Sequence, residues 1–215
     1  MNSLLDLNKD KEKTRIVDDI VSRAMQKWPN VPDVFGWLRL DRRGDWLLRT
    51  APDVFDPIRN PAMVSYIGRN YTHDERGRWY FQNGPQRVFA TLECTPFVYR
   101  LDDDRRGWRA HTGAEAGEPS ELLIDDEDNL ILVTPQGPGV VLDRDLPFLL
   151  DNARDDAGTA LDAELVFARG ARAPRHVNIP GGRVKLSQMP GPDIARRFGF
   201  VRNPEQGGGE NAKQA

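Results

Sequence analysis

One short phrase is written into this chain again and again. It reads DRRGDW at 41–46 and DERGRW at 74–79, then more loosely DDRRGW at 103–108 and DDEDNL at 125–130. The leading aspartate has a side chain short enough to accept hydrogen bonds from its own following amides. In the first two copies a glycine stands three residues on, free to take positive φ. Apolar-rich runs flank the first copy, GWLRL before and DWLLR after. The phrase therefore predicts a β-hairpin, 36–40 with 45–49, and the large apolar residue of the strand after each turn (Trp46, Trp79 or Ile131) is read as a core anchor. A lone hairpin is marginal in water, so several must bury one another's apolar faces. The copies are unevenly spaced, which argues against a solenoid or propeller. The copy at 103–108 is read as a hairpin tip with Trp108 partly exposed.

The other elements follow from punctuation. Apolar residues at three- and four-residue spacing predict a helix over 10–28, stopped by Pro29 and Pro32. Asn60 is a good N-cap and Pro61 a good first residue for a helix of about three turns. A second hairpin pairs Arg78–Gln82 with Gln86–Glu93 through Asn83-Gly84. A third runs from Leu130–Thr134 through a turn at Pro135–Gly139 to Val140–Asp143. Residues 151–163 read as a loop with one helical turn, AELVFAR and GGRVKLSQ as strands, and 191–201 as a short helix. The expected fold class is α+β and β-rich, with repeated antiparallel β-hairpins packed with two or three helices. The expected divisions are an N-terminal helix at 1–29, a hairpin-repeat subdomain at 30–110, a second β-rich subdomain at 111–203 and a disordered tail at 204–215.

Charge is unevenly spread. Net charge is −3, but residues 102–165 carry 5 Lys/Arg against 17 Asp/Glu and residues 166–202 carry 8 against 1. The simplest expectation is that the acidic and basic segments pack together and neutralise each other. An isoelectric point near 5.7 argues against a dedicated nucleic-acid binder. Cys94 is the only cysteine, so no intramolecular disulfide forms. It reads as a small buried residue in a reducing, cytoplasmic setting. No apolar run reaches the roughly 20 residues a membrane helix needs.

The segment GRWYFQNGPQRVFATLECTPFVYRL, with GWLRLDRRGDWLLR upstream and RFGFV near the end, resembles a set of small proteobacterial proteins of unknown function. The likeness covers most of 30–202. The chain is also distantly similar to another bacterial domain-of-unknown-function family, in which strand-turn-strand and helix units repeat. That second resemblance implies a signalling or ligand-sensing role. Neither implies an activity or a catalytic residue.

The residues themselves carry no catalytic constellation. His73, His111 and His176 fall in separate predicted loops, without the i, i+4 spacing of a helical metal site. No phosphate loop or nucleophile elbow is present, and a calcium loop around 125–129 lacks its glycine. No cofactor and no metal is expected. The densest polar and aromatic group is Arg69, Arg78, Tyr80, Gln82, Asn83 and Arg87, with 78, 80 and 82 on one strand face. That face is either a solvated sheet surface or a site for a ligand or partner. Arg183 and Lys185, after Gly181-Gly182, are candidate anion contacts, although the same residues suit an ordinary hairpin turn. The leading expectation is a non-enzymatic binding or regulatory protein with a small-molecule or protein partner. The alternative is a hydrolase or transferase whose carboxylate and histidine come from separate loops. A third reading is a homo-oligomer formed through hairpin edges.

Overall fold

The computed structural model describes residues 23, 26, 27, 31–168 and 175–205. Residues 23, 26 and 27 are helical, and the rest of the helix expected over 10–28 lies outside the described residues, as does the tail from 206. The described residues form two sheets. The first contains β1 (Val34–Leu40), β2 (Trp46–Ala51), β3 (Val54–Pro57), β4 (Tyr71–His73), β5 (Trp79–Asn83) and β6 (Gln86–Leu92), in the spatial order β3-β2-β1-β6-β5-β4. The second contains β7 (Phe97–Leu101), β8 (Trp108–Ala110), β9 (Glu121–Ile124), β10 (Leu130–Thr134), β11 (Gly137–Val141), β12 (His176–Ile179) and β13 (Gly182–Gln188), in the order β12-β13-β9-β10-β11-β7-β8. Four short helices accompany them among the described residues: α1 (Pro61–Arg69), α2 (Leu146–Asn152), α3 (Ala163–Val166) and α4 (Gly191–Phe198). The fold is thus a β-rich α+β arrangement. Sheet membership changes between 92 and 97, so β7 and β8 join the second sheet.

The repeated phrase is one turn built several times. Asp41 Oδ1 accepts from the amides of Arg43 and Asp45 at 2.9 and 2.8 Å. Asp74 does the same for Arg76 and Arg78, and Asp125 for Glu127 and Asn129. The backbone closes identically, with the amide three residues on donating to the aspartate carbonyl. That fourth position has positive φ in each case: Gly44 82°, Gly77 72°, Asp128 60°. Asp102 makes a version one residue longer, with Arg105 at 58°. A copy that sequence reading overlooked, DDAGTA at 155–160, makes the standard version on Asp155.

Location decides how much each turn contributes. Asp125 is 6% exposed and also accepts from Asn129 Nδ2 at 2.7 Å, whereas the amides served by Asp155 belong to exposed residues. Asp125→Ala is therefore expected to cost about 2 kcal/mol in urea unfolding, because it removes a buried acceptor and leaves the half-buried Asn129 amide and Nδ2 without their partner. Asp155→Ala is expected to cost under about 1 kcal/mol, since water replaces the carboxylate. Equal losses would show that the turn itself, and not burial, sets the cost.

The second sheet lies in the middle of the molecule and is apolar on both faces, which explains the unbroken runs ELLI and LILV. One face sends Leu122, Ile124, Leu130, Leu132 and Tyr99 into a core shared with Leu149, Leu161 and Val166 of the α2–α3 region. The other sends Val98, Leu123, Ile131 and Val140 against Leu38, Trp46, Phe81 and Ala90 of the first sheet. Trp79 touches both cores. Trp46 is 1% exposed, as an anchor should be. Trp108 corrects the expectation of a partly exposed tip: it is 3% exposed, and its Nε1 donates to the Pro180 carbonyl at 2.7 Å. The AELVFAR segment also differs from expectation. Asp162 caps Leu165 N at 2.8 Å and starts the helical turn α3 instead of a strand. The third hairpin is tighter than expected, with Thr134 opposite Gly137 across a two-residue turn.

The acidic and basic segments do meet. β13 runs parallel to β9, Lys185 opposite Glu121. The Glu121 carboxylate, 7% exposed, lies 2.6 Å from Arg197 Nη2 and 3.7 Å from Lys185 Nζ. Burial pushes its carboxyl up, but Arg197, Ser187 and Lys185 together outweigh that and hold it below the usual range. Asp126 accepts from Gly191 N at the start of α4 at 2.7 Å. The chain then returns to the first sheet, where Leu92 N donates to Arg202 O and Val201 N to Gly77 O.

Candidate binding surface

Strand alternation gives the first sheet two unlike faces. Leu38 and Leu40 of β1, Phe81 of β5, and Ala90 and Leu92 of β6 point inward to the core. Trp37, Arg39, Tyr80, Arg87 and Phe89 have the opposite parity and share the outer face. Gly36 takes φ 75° within an irregular stretch of β1, where Val34 faces Val88 and Leu38 faces Ala90. The extra residues let the Phe35 ring lie flat on Phe89, 4.5 Å between centroids and 2° between planes.

Guanidinium groups sit over this aromatic layer. Arg78 lies 4.5 Å from the Phe89 centroid, Arg87 5.1 Å from Tyr80, and Arg39 4.0 Å from Phe55 of β3. Arg78 is neutralised by Asp74 at 2.7 Å, and burial of the Asp74 carboxyl is outweighed by the Arg78 hydrogen bonds and charge, so it stays below its usual range. Arg39 and Arg87 make no ion pair among the described residues, and Arg39 Nε is buried without a hydrogen-bond partner. Trp37 is 53% exposed, the largest fraction among the exposed large apolar residues.

Of the residues singled out from sequence, the fold brings Arg78, Tyr80 and Arg87 onto this face. Tyr80 is 7% exposed and Gln82 1%, so the stripe is a packed layer instead of a solvated one. Gln82 Nε2 donates to Gly84 O within its own hairpin. Asn83 is exposed at the hairpin end. Arg69 ends α1, whose Ile67 packs in the core on the other face, and its guanidinium donates to Ser65. Arg183 and Lys185 stand apart on β13, against Asp156 at 2.8 Å and Glu121 at 3.7 Å. Sequence reading missed Phe35, Trp37, Arg39 and Phe55. The signal was there in VFGWLRL: Trp and Arg alternate with the two core leucines.

The remaining reactive side chains lie elsewhere. Burial pushes the Cys94 thiol up to about 11, which leaves it protonated at neutral pH. His111 is enclosed by Trp46, Tyr71 and Phe97. The His73 ring leans on Trp79, and its Nδ1 meets the Asp74 carbonyl at 3.0 Å. Among the described residues no three His, Cys, Asp or Glu side chains gather as a metal-holding group, and no helix is long and apolar enough to cross a membrane.

The model of a family, DUF2944, described as a protein of unknown function (DUF2946), matches residues 17–205. Among solved structures the chain is similar to a DUF1285 family protein from Silicibacter pomeroyi DSS-3. The identity is 17% and the TM-score 0.45, over 81% of this chain and 89% of that one. No curated protein matches.

Proposed function

The chain belongs to this family of proteins of unknown function, and from that premise we propose that it is a non-enzymatic binding module, regulatory or ligand-sensing in role. The outer face of the first sheet is its recognition surface. The observation that carries this is Trp37, 53% exposed on β1 beside Arg39, whose Nε is buried and unpaired. A large exposed aromatic residue next to incompletely satisfied cations is a costly surface unless something covers it. The arrangement suits an anionic ligand or an acidic stretch of a protein partner, with guanidinium forks for carboxylate or phosphate and rings for stacking. A bacterial, cytoplasmic setting belongs to the same proposal, the bacterial part resting on the resemblance to bacterial families of unknown function and the cytoplasmic part on the single thiol, Cys94. The hydrolase or transferase reading has less support, because the rings around His111 are aromatic and, among the described residues, its hydrogen bond is to Val98 N and not to a carboxylate.

Titration of Trp fluorescence with inorganic phosphate, ATP, a phosphoserine peptide and a pentaglutamate peptide tests the proposal. At least one probe is expected to bind, and Trp37→Ala or Arg39→Gln is expected to weaken it about tenfold, or roughly 1.4 kcal/mol. If no probe binds, or if binding survives Trp37→Ala, Arg39→Gln and Arg87→Gln combined, the face is not the site. Turnover of ATP or of the phosphopeptide would favour the enzyme.

A further inference from the structure

On the far side of the second sheet, away from that cationic face, a trough of about 780 Å³ opens between α2 and the chain at 160–163. Leu146 and Leu150 lie one helical turn apart on α2 and, with Leu161 opposite, form the floor. The same residues are the outermost members of the core that α2 covers. Asp143, Asp151 and Asp162 line the trough and are exposed. Among the described residues none of the three carboxylates has a cationic partner. Asp162 gives one oxygen to Leu165 N as a helix cap and keeps the other free. Elsewhere in this acidic region Glu121 and Asp156 are matched by Arg197 and Arg183. The trough gathers three of the segment's carboxylates that no cation offsets among the described residues.

We propose that this trough docks a basic, amphipathic peptide segment of a protein partner, leucine-like side chains on the floor and Lys or Arg against the aspartates. Charge complementarity names the occupant. A small-molecule site would enclose its ligand and fix it with buried polar groups. Here the polar groups are all at the exposed rim and the floor has none, which is the layout of a groove receiving one apolar face of a helix. Rim charges of one sign select the partner and speed encounter.

The test is an NMR titration of the full-length protein with a 14-residue Leu/Lys amphipathic peptide, its Leu/Glu counterpart and spermine. The Leu/Lys peptide is expected to shift amide signals of 146–151 and 160–163, with the Leu/Glu peptide inert and spermine at least tenfold weaker. Asp143→Asn/Asp151→Asn/Asp162→Asn keeps the helix cap, since asparagine caps as well as aspartate. It is expected to weaken the Leu/Lys peptide at least tenfold with an unchanged melting temperature. Leu150→Lys tests the floor by a change that leaves the carboxylates in place, and is expected to abolish binding. Any of three results overturns the proposal: no binding of the Leu/Lys peptide, equal binding of either control, or shifts elsewhere that persist in the triple variant. If the outer-face probes fail while this peptide binds, the trough stands without the first-sheet proposal.

Discussion

Acidification from pH 6 to 4.5 is expected to remove about 2 kcal/mol of stability, most of it through one histidine whose Nε2 is buried, at about 1.4 kcal/mol per pH unit. The His111 ring lies 5.2 Å from Trp46, 5.7 Å from Tyr71 and 6.1 Å from Phe97, between centroids. Its Nδ1 accepts from Val98 N at 3.3 Å, and its Nε2 is buried with no partner. Burial among these rings drives its pKa from 6.5 to about 3. The unfolded chain takes up the proton near pH 6.5; the folded chain refuses it until pH 3 is approached. Between those values the unfolded state binds more protons, so stability is complete above 6.5 and falls as pH falls. The Asp74 and Glu121 carboxyls also sit below their usual values. Their contributions start to fade only as pH nears the ordinary carboxylate range, and the Asp41 carboxyl, pushed up by burial, acts in the opposite sense there, so the histidine dominates above about pH 5. Urea midpoints for the wild type and His111→Phe, taken at half-unit steps, measure the effect. The variant should show a nearly flat profile above about pH 5. A variant curve parallel to the wild type would assign the acid sensitivity to other groups.

Gly77→Ala is expected to cost roughly 3–4 kcal/mol, near the top of the range for a single substitution. Gly77 takes φ 72° in the Asp74 turn, and a Cβ there would lie 1.8 Å from the Gly199 carbonyl oxygen and 2.8 Å from its carbon. Those atoms are backbone and cannot rotate away. The contact is where the end of α4 rests on the second hairpin, with Val201 N donating to Gly77 O at 2.9 Å. Gly158 separates this packing effect from the backbone effect. It has φ 82° in the Asp155 turn, and nothing stands within 4 Å of its added Cβ. Gly158→Ala should cost about 1 kcal/mol, the left-handed penalty alone. Thermal unfolding of both variants gives the comparison, and hydrogen exchange should show residues 194–201 loosened only in Gly77→Ala. Matching losses would mean the α4 terminus moves aside at little cost.

Local chemistry was legible before any coordinates. An aspartate's reach to the second and fourth following amides, a glycine's access to positive φ and the Asn60-Pro61 helix start all act within a few residues, and the structure keeps each of them. Trp46 was readable as core from its place after a turn and within an alternating strand. Trp108 follows a similar phrase, but the carbonyl that accepts from its indole belongs to Pro180, 72 residues on, and no local pattern announces that bond. AELVFAR carries the composition of a strand and turns helical because Asp162 caps it. The outer face was half seen: Arg78, Tyr80 and Arg87 came from one hairpin, whereas Phe35, Arg39 and Phe55 joined them through the parallel contact of β1 with β6 and the pairing of β3 with β2.

By itself the sequence determined the turns, the strand content, the reuse of one Asp-led hairpin and the opposition of an acidic and a basic stretch, because each is set by short-range geometry or by charge count. Only the tertiary structure decided that the second sheet lies between two cores, that the His111 ring packs among aromatic rings with its Nε2 buried, and which carboxylates remain unpaired around the α2 trough. Those outcomes depend on which distant strands become neighbours, and burial and charge pairing take their values only after that choice is made.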